Sequence, residues 1–224
     1  MALPSPPSVQ KSKNMKSNPR HGKSAFTLIE LMAVITIIVI LAGLVVGGLG
    51  YVTEKQAKSK ALVQIALISK ALEAYKLDIG MYPPTTTAQK AGNGTSAQSL
   101  YISLFYEGYD YGRQASPPAT WTKKIDNVNI PKATTIYLPD LDPTTSKQGW
   151  VDSITGTGTK VPPASTLVKD PYAVEYRYRS ARSAAGTANT DTQNPDFDLW
   201  SCGKDGVTNA TLSSTQNRDD IKNF

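Results

Sequence analysis

Residues 24–52 read SAFTLIELMAVITIIVILAGLVVGGLGYV, an apolar run with one acidic side chain near its start. The 22 residues from Leu31 to Val52 carry no charge. A helix of that length is about 33 Å long, enough to cross a bilayer core of roughly 30 Å. Glu30 is unexpected here, because a carboxylate at membrane depth costs about 2.5–3.5 kcal/mol on insertion scales. The run therefore predicts a membrane helix in which Glu30 needs a partner.

The segment before this run is basic. Residues 1–25 contain five Lys and Arg side chains and no acidic one, which favours a cytoplasmic position for this end of the chain. A secretory signal peptide would place a small-residue cleavage site after its apolar stretch, and the sequence has no such site there. A plain N-terminal signal anchor is one interpretation of this pattern.

A narrower interpretation comes from Ala25-Phe26-Thr27-Leu28-Ile29-Glu30, which resembles the cleavage signal of type IV pilins and type II secretion pseudopilins. The resemblance implies that a prepilin peptidase cuts between Ala25 and Phe26 and methylates the new Phe26 amine. Glu30 then becomes the fifth mature residue and pairs with the Phe26 amine of a neighbouring subunit in a filament. Such an ion pair in an apolar bundle sets register more than it adds stability. The family usually has Gly where this chain has Ala25.

The helix is predicted to continue past the membrane. Apolar side chains recur at spacings of three and four, which places them on one helix face: Leu62, Ile65, Ile68, Leu72, Tyr75 and Ile79. Gly80 and the prolines at 83 and 84 then end the helix. The chain accordingly divides into four parts: a leader at 1–25, a membrane half of the helix at 26–52, an amphipathic half at 53–80 and a globular domain at 81–224.

A second stretch favours one branch of this family. Residues 75–83, YKLDIGMYP, look like the end of the long helix in major pseudopilins of type II secretion systems. The resemblance implies an α+β, pilin-like fold, in which a long N-terminal α-helix packs on a small antiparallel sheet with a C-terminal loop. Residues 174–179 and 197–200 predict two of its strands. Four charged side chains either pair across these strands or stay apart in solvent: Arg177, Arg179, Asp196 and Asp198.

Residues 112–167 are predicted to form a loop-rich insertion, which the resemblance does not cover. They contain seven prolines and many Thr and Ser. A short helix is predicted just before them, over residues 98–106, from the spacing of its apolar side chains. Trp121 and Trp150 lie in the insertion and either mark a partner surface or cover a small core of the insertion itself.

The stretches 197–206 and 219–224 resemble the calcium loop and the chain ending of major pseudopilins. In that family the loop wraps one Ca²⁺ with Asp side chains and backbone carbonyls, the oxygen ligands that this hard cation prefers. The candidate ligands are the side chains of Asp205, Asp219 and Asp220 and the carbonyls near Leu199 and Ser201. The Gly-Gly of the family loop is replaced by residues 208–211. A plain Asp-Gly turn followed by a polar tail is the alternative interpretation.

Composition excludes several kinds of site in a processed chain. Cys202 is the only cysteine, so no disulfide forms within the chain, and the only histidine, His21, lies in the leader. Without histidine there is no Ser-His-Asp or Cys-His centre and no His-ligated metal. Removing the five leader charges from a net charge of +6 leaves about +1, so no nucleic-acid partner is expected.

The resemblance implies a structural subunit and not an enzyme. Processed copies would polymerise into a pseudopilus that drives type II secretion, each first held by one helix in the bacterial inner membrane with its C-terminal domain in the periplasm. The implied partners are other copies of the chain, minor pseudopilins, the prepilin peptidase, the membrane, and the inner-membrane assembly platform with its ATPase. Three alternatives stay open: a type IV pilin forming a surface fibre for adhesion, motility or DNA uptake; a membrane-tethered binding protein that does not polymerise; and an anchored hydrolase using Asp196 and Asp198.

Overall fold

A computed structural model describes residues 26–86, 95–145, 149–154, 161–209 and 214–224. The leader 1–25 lies outside the described residues, and so does Ala25, which precedes the predicted cut. Parts of the predicted insertion and of the stretch 208–211 lie outside them as well. The chain divides into two compact units, Met1–Leu49 and Gly50–Phe224. The second unit contains the buried core.

Helix α1 extends from Leu28 to Ile79 and has 52 residues, close to the predicted span. In the first unit, large apolar side chains are exposed on all sides of the helix. A helix surrounded by water would instead expose mostly polar side chains. Among the described residues, α1 is the one helix that is long and apolar enough to cross a membrane, judged by length and composition. The predicted membrane helix therefore has a matching element in the structure.

In the second unit α1 is amphipathic. Its buried side chains recur at spacings of four and three and form the helical side of the core: Ala61, Ile65, Ile68, Leu72 and Tyr75. The prediction that Leu62 shares this face is wrong, since its side chain is 50% exposed. Ala61 occupies the buried face, and Leu62, the next residue, points about 100° away from it around the helix axis. Gly80 ends the helix as predicted, with a left-handed φ of 86° and its N–H bonded to the Lys76 carbonyl.

A second helical stretch occupies the position of the predicted short helix and is longer. It consists of α2 (Thr95–Tyr101), a π-helical turn (Ile102–Tyr106) and α3 (Glu107–Gly112). The Leu104 carbonyl in the π-turn accepts the backbone N–H groups of Tyr137 and Leu138 at 2.9 and 3.1 Å. The wider turn makes this carbonyl available, because i→i+5 bonding replaces the tighter α-helical pattern. It thereby docks the segment at 137–138 on the helix.

A β-hairpin lies between this helix and the docked segment, inside the stretch predicted to be loop-rich. Strand β1 (Thr122–Ile125) pairs antiparallel with strand β2 (Val128–Pro131). The turn residues Asp126 and Asn127 have positive φ values of 47° and 68°, as a type I′ turn requires. Asn and Asp are the non-glycine residues that adopt this conformation most readily, so the turn is locally encoded.

Glu107 and Lys123 join the hairpin to the helix inside the protein. Lys123 Nζ bonds to Glu107 Oε1 and, at 3.1 Å, to the Ser103 hydroxyl. Glu107 Oε2 accepts the backbone N–H of Ala133 at 2.8 Å. The side chains of Glu107 and Lys123 are only 3% and 16% exposed. The pair therefore has hydrogen-bond partners on both sides, the condition under which a buried ion pair is tolerated.

The segment after the hairpin passes very close to the helix at Gly108. A Cβ on this residue would lie 2.3 Å from the carbonyl carbon and oxygen of Thr135, so only glycine permits the approach. Trp121 donates its indole N–H to the Ala133 carbonyl at 3.0 Å, close to this contact in sequence. Trp150, in contrast, is buried in the main core of the domain. The prediction offered a partner surface or a small core of the insertion. Trp150 is a core residue, but it belongs to the main core of the domain and not to a separate core of the insertion.

Three antiparallel strands form a sheet in the order β3 (Arg177–Ser180), β4 (Phe197–Ser201) and β5 (Ile221–Lys222). Every residue of the central strand β4 is buried. The sheet and the inner face of α1 share one hydrophobic core, and the Tyr176 hydroxyl donates to the buried Gln64 Oε1 at 2.8 Å. The α+β class is thereby confirmed, with a long N-terminal helix, a small antiparallel sheet and a C-terminal loop.

The charged side chains of β3 and β4 do not form ion pairs with each other. Arg179 lies opposite Asp198 in the register, but it donates to a backbone carbonyl. Asp198 is buried and accepts backbone N–H groups from residues 193–194. Asp196 instead forms an ion pair with Lys76 at 3.3 Å. The charges therefore stay apart as one interpretation had it, but not in solvent as it supposed, because Asp198 is buried and bonded to the backbone while Asp196 pairs with Lys76.

Candidate assembly and metal sites

The first candidate site is the start of α1. The Thr27 backbone N–H donates to Glu30 Oε2 at 3.4 Å, and the Glu30 N–H donates to the Thr27 hydroxyl oxygen at 3.4 Å. This reciprocal arrangement is a capping box, which satisfies backbone donors at the helix N-terminus. A Thr-x-x-Glu pattern before an apolar run is the sequence signal for a capping box, and Thr27-Leu28-Ile29-Glu30 has this pattern although no cap was predicted there. Glu30 is thus held at the first turn by its own helix.

The surroundings of Glu30 are apolar and exposed. Phe26 precedes the helix and is exposed, as are the large side chains at positions 28, 29, 31 and 32. A carboxylate at the end of such a surface is costly wherever lipid or another helix covers it, unless a cation approaches. The geometry can therefore support pairing of Glu30 with an amine that comes from outside the subunit.

The second candidate site is the C-terminal loop, which begins where β4 ends. The Leu199 carbonyl accepts the backbone N–H of Asn223 at 3.1 Å, and Ser201 lies opposite Ile221 in the sheet. The Ser201 hydroxyl donates to Asp170 Oδ2 and accepts the Gly203 N–H at 3.0 Å. Both predicted carbonyl positions are therefore engaged in sheet pairing, and Ser201 anchors the loop through its side chain.

Asp205 and Asp219 lie next to each other in this loop. Asp219 Oδ2 accepts the backbone N–H of Asp205 at 3.0 Å, and Asp205 Oδ1 accepts that of Val207 at 2.8 Å. A Cβ at Gly203 would come within 2.5 to 2.7 Å of Asp219, so glycine is needed for the approach. The structure thus brings two of the three predicted acidic ligands together around Gly203, a residue not singled out from the sequence.

Asp220 is the most unusual of the predicted ligands. Its side chain is 0% exposed, and Oδ2 accepts from the Thr208 hydroxyl at 2.9 Å and lies 3.3 Å from Lys222 Nζ. Oδ1 has no hydrogen-bond partner among the described residues. Burial raises the pKa of Asp220, and the Thr208 hydroxyl and Lys222 oppose that rise. An orphaned buried carboxylate oxygen is costly, and a proton or a cation would relieve it.

Asp170 supports the start of the loop and is not among the predicted site residues. Its Oδ1 accepts the backbone N–H groups of Tyr172 and Val174, both at 2.9 Å, and its Oδ2 accepts from Ser201. Ala173 has a positive φ of 64° in this turn. Burial raises the pKa of Asp170, and the Ser201 hydroxyl and these two amides oppose that rise. Asp170 is therefore a fully bonded positioning residue for the start of the loop.

These residues fit calcium in ligand type but do not yet converge on one point. Within the described ranges, no group of three or more Asp, Glu, Cys or His side chains is close enough to hold a metal ion. The observations that favour a cation are the free Oδ1 of Asp220 and the Asp205–Asp219 contact around Gly203. Calcium is therefore a prediction for this loop.

Comparison with known proteins bears first on the N-terminal site. The prokaryotic N-terminal methylation motif matches residues 20–46, which include Phe26, Thr27 and Glu30. The N-terminal segment carries this methylation motif. The predicted resemblance is thereby confirmed for this part of the chain, and the capped first turn of α1 lies inside the matched motif.

Parts of the chain are also similar to named relatives. The type II secretion system core protein G of Aeromonas hydrophila is 48% identical over 66 residues, which are 30% of this chain and 46% of that protein. Its namesakes are 42% identical over 71 residues in Pectobacterium carotovorum subsp. carotovorum and 50% over 60 residues in Escherichia coli K12. The matches thus span less than half the length of these relatives. Their name denotes a core component of a type II secretion system.

One solved structure is also similar. The major pseudopilin from the type 2 secretion system of enterohaemorrhagic Escherichia coli is 18% identical, with a TM-score of 0.37, over 79% of this chain and 93% of that one. A likeness of this size does not by itself establish a shared fold. The fold class accordingly follows from the helix, sheet and loop of this chain.

Proposed function

We propose that the chain is the precursor of a pseudopilin, a structural subunit that polymerises into the pseudopilus of a type II secretion system. The observation that carries the proposal is the methylation motif at 20–46, which includes the helix start where Glu30 is held beside an exposed apolar surface. The similarity to core protein G favours a pseudopilus over a surface pilus.

In the proposed assembly, the apolar surface of α1 moves from contact with lipid to contact with other copies of α1. Lipid covers the exposed apolar side chains of α1 before assembly, and the helices of other copies cover them in the filament. Cleavage before Phe26 creates an amine, and Glu30 exchanges its bonds with Thr27 for an ion pair with the Phe26 amine of a neighbouring copy. The prepilin peptidase, minor pseudopilins and the assembly platform with its ATPase are the partners that this role requires.

The proposed location follows from the charge distribution. The basic leader holds the N-terminus in the cytoplasm, and α1 crosses the inner membrane once. The domain that follows then lies in the periplasm. This orientation brings the predicted cleavage point to the cytoplasmic side and leaves the sheet and the C-terminal loop on the opposite side.

Expression in a bacterium whose type II secretion system lacks its own core protein G tests the proposal. We expect the chain to restore secretion, and mass spectrometry of its first peptide to find N-methylated Phe26. An unprocessed chain beginning at Met1 would refute the assignment to this superfamily. Correct processing together with long surface fibres at normal expression would instead identify a type IV pilin, and correct processing without any polymer would identify a tethered binding protein.

The C-terminal loop is proposed to bind one Ca²⁺. Asp205, Asp219 and Asp220 would supply carboxylate oxygens. Carbonyls near Leu199 and Ser201 would complete the shell through the second lone pair that a carbonyl keeps beside a sheet hydrogen bond. The orphaned Oδ1 of Asp220 supports this proposal, because a cation would provide the partner that the described residues do not. Bound calcium would add rigidity to a loop that otherwise depends on its own hydrogen bonds.

Thermal unfolding of the detergent-solubilised chain tests calcium binding without any secretion assay. Calcium at 100 times its Kd should stabilise the chain by about 2.7 kcal/mol, and Mg²⁺ should have little effect. Asp220→Asn should remove most of the gain, whereas Asp191→Asn, an exposed site outside the loop, should retain it. The calcium proposal fails if the wild-type chain shows no calcium effect and Asp220→Asn raises its melting temperature, which would mean that the orphaned oxygen is simply unfavourable.

A further inference from the structure

Three side chains at and just beyond the end of the uncharged run form a continuous stripe on α1. Tyr51, Lys55 and Lys58 are spaced by four and three residues, which places them on one side of the helix. Tyr51 is 73% exposed, and both lysines are exposed as well. All three belong to the second unit of the chain. These residues are called the juxtamembrane stripe below.

Among the residues that the structure describes, the two lysines of the stripe have no acidic partner. Glu54 is the only acidic residue between positions 51 and 60, and its spacing from Lys58 suits a helical ion pair. Glu54 Oε2 instead lies 3.0 Å from Lys204 Nζ in the C-terminal loop. Across the described part of the chain, neither Lys55 nor Lys58 is within ion-pair distance of a carboxylate. The Lys204–Glu54 contact therefore leaves two positive charges uncompensated.

The position of the stripe along the helix suits a lipid headgroup layer. The uncharged run ends at Val52, so Lys55 and Lys58 follow after about 4.5 and 9 Å of helical rise. The headgroup region extends roughly 5–7 Å beyond each side of the hydrocarbon core. Long lysine side chains reach along the helix to place their ammonium groups at that level, and Tyr is enriched at the same boundary.

We propose that the juxtamembrane stripe binds the headgroups of anionic phospholipids at the outer face of the membrane. The inference rests on the proposed function only in that α1 must span a bilayer. Lys55 and Lys58 contact the headgroup phosphates, and Tyr51 lies at the boundary between headgroups and acyl chains. Each lysine at a charged lipid surface strengthens the association about fivefold.

The lipid contact gives the unassembled subunit a defined depth in the membrane. Exposed apolar side chains continue past Val52, with Leu62 and Val63 on the outer surface of α1, so apolar length alone does not mark where the bilayer ends. A pair of charges bound to phosphates marks that point, because moving them into hydrocarbon is costly. Glu30 is then kept at the opposite side of the bilayer, where the Phe26 amine is formed.

Spin-labelled lipids provide a direct test. The processed full chain is reconstituted in phosphatidylcholine bilayers, and its association with spin-labelled phosphatidylglycerol is compared with that of spin-labelled phosphatidylcholine. We expect a preference of about fivefold or more for the anionic lipid, reduced by high salt. The double variant Lys55→Gln/Lys58→Gln should lose the preference, and Lys55→Arg/Lys58→Arg should keep it.

Lys70→Gln is the matched control. Lys70 is an exposed lysine on the same helix, but it lies 18 residues beyond Val52, about 27 Å away and outside the headgroup layer. Its replacement should leave the preference unchanged. Equal association of both lipids with an inserted wild-type chain would overturn the inference and leave the proposed function intact. Failure of the chain to stay in the bilayer would overturn the proposed anchoring and the inference with it.

Discussion

Replacing Glu30 by Ala is expected to abolish pseudopilus formation and the secretion that depends on it, while the subunit still inserts in the membrane. Two effects act in the same direction. The variant removes one partner of the proposed ion pair between subunits, a change that costs about 3–5 kcal/mol where a buried charge is left unpaired. It also removes the carboxylate from the membrane helix, which makes the unassembled subunit more stable in lipid by about 2.5–3.5 kcal/mol.

The measurement is secretion and filament recovery in the strain that lacks its own core protein G, with membrane fractionation as the check on insertion. Glu54→Ala is the control, because Glu54 also lies on α1 but its ion pair with Lys204 is exposed at both ends. Solvent screens this pair, so its loss should leave secretion nearly unchanged. Thr27→Val, which removes the capping hydroxyl and keeps the carboxylate, should have a smaller effect than Glu30→Ala. Normal secretion by the Glu30→Ala strain would argue strongly against the proposed assembly.

The largest loss of stability is expected for Glu107→Ala. The substitution leaves the Lys123 ammonium group almost buried without a carboxylate and leaves the Ala133 N–H without its acceptor. Removing one partner of a buried pair costs about 3–5 kcal/mol. Urea unfolding of the detergent-solubilised chain, followed by tryptophan fluorescence, measures the loss, and Trp121 lies close to the affected contact.

Asp152→Ala supplies a matched comparison for this prediction. The Lys169–Asp152 pair has an N–O distance of 2.6 Å, but the Asp152 side chain is 79% exposed. Solvent screens this pair, so its removal should cost less than about 1 kcal/mol. If the two variants lose similar amounts of stability, burial is not what makes the Glu107–Lys123 pair important, and the assigned role of the pair is wrong.

The parts of the fold that the sequence predicted well depend on local regularities. The apolar run, the stop at Gly80 and the strands around 177–180 and 197–201 each carry their signal within a few residues. The error at Leu62 has a simple cause. Ile65 follows Leu62 by three residues and Ala61 by four, so either residue fits the helical spacing of the buried face. Alanine is small enough to occupy either side of a helix.

The parts that were missed depend on contacts between distant residues. The π-turn is explained by the N–H groups that Leu104 accepts from residues 137–138, more than thirty positions later. The role of Asp170 depends on a serine 31 residues further on. Periodicity cannot reveal such pairs, since each partner alone is an ordinary polar or apolar residue.

The candidate sites divide in the same way. The methylation motif could be predicted from the sequence because Phe26 and Glu30 stand four positions apart in one continuous stretch. The predicted calcium site combines two separate stretches, 197–206 and 219–224. Their relative position depends on how β4 and β5 pair, which neither stretch reveals alone. The structure brings Asp205 and Asp219 together and leaves Asp220 Oδ1 without a partner, whereas the ion itself is still a prediction.

The contact between Gly108 and Thr135 has a consequence for how this domain can change over evolutionary time. It brings together two points of the chain that are 27 residues apart, so the segment between them starts and finishes at the same place. Each doubling of the length of such a closed segment raises the entropic free-energy cost of closing it by only about 0.6 kcal/mol. Insertions and deletions around the hairpin tip are therefore tolerated without rearranging the core, and length variation among descendants of this gene should concentrate there.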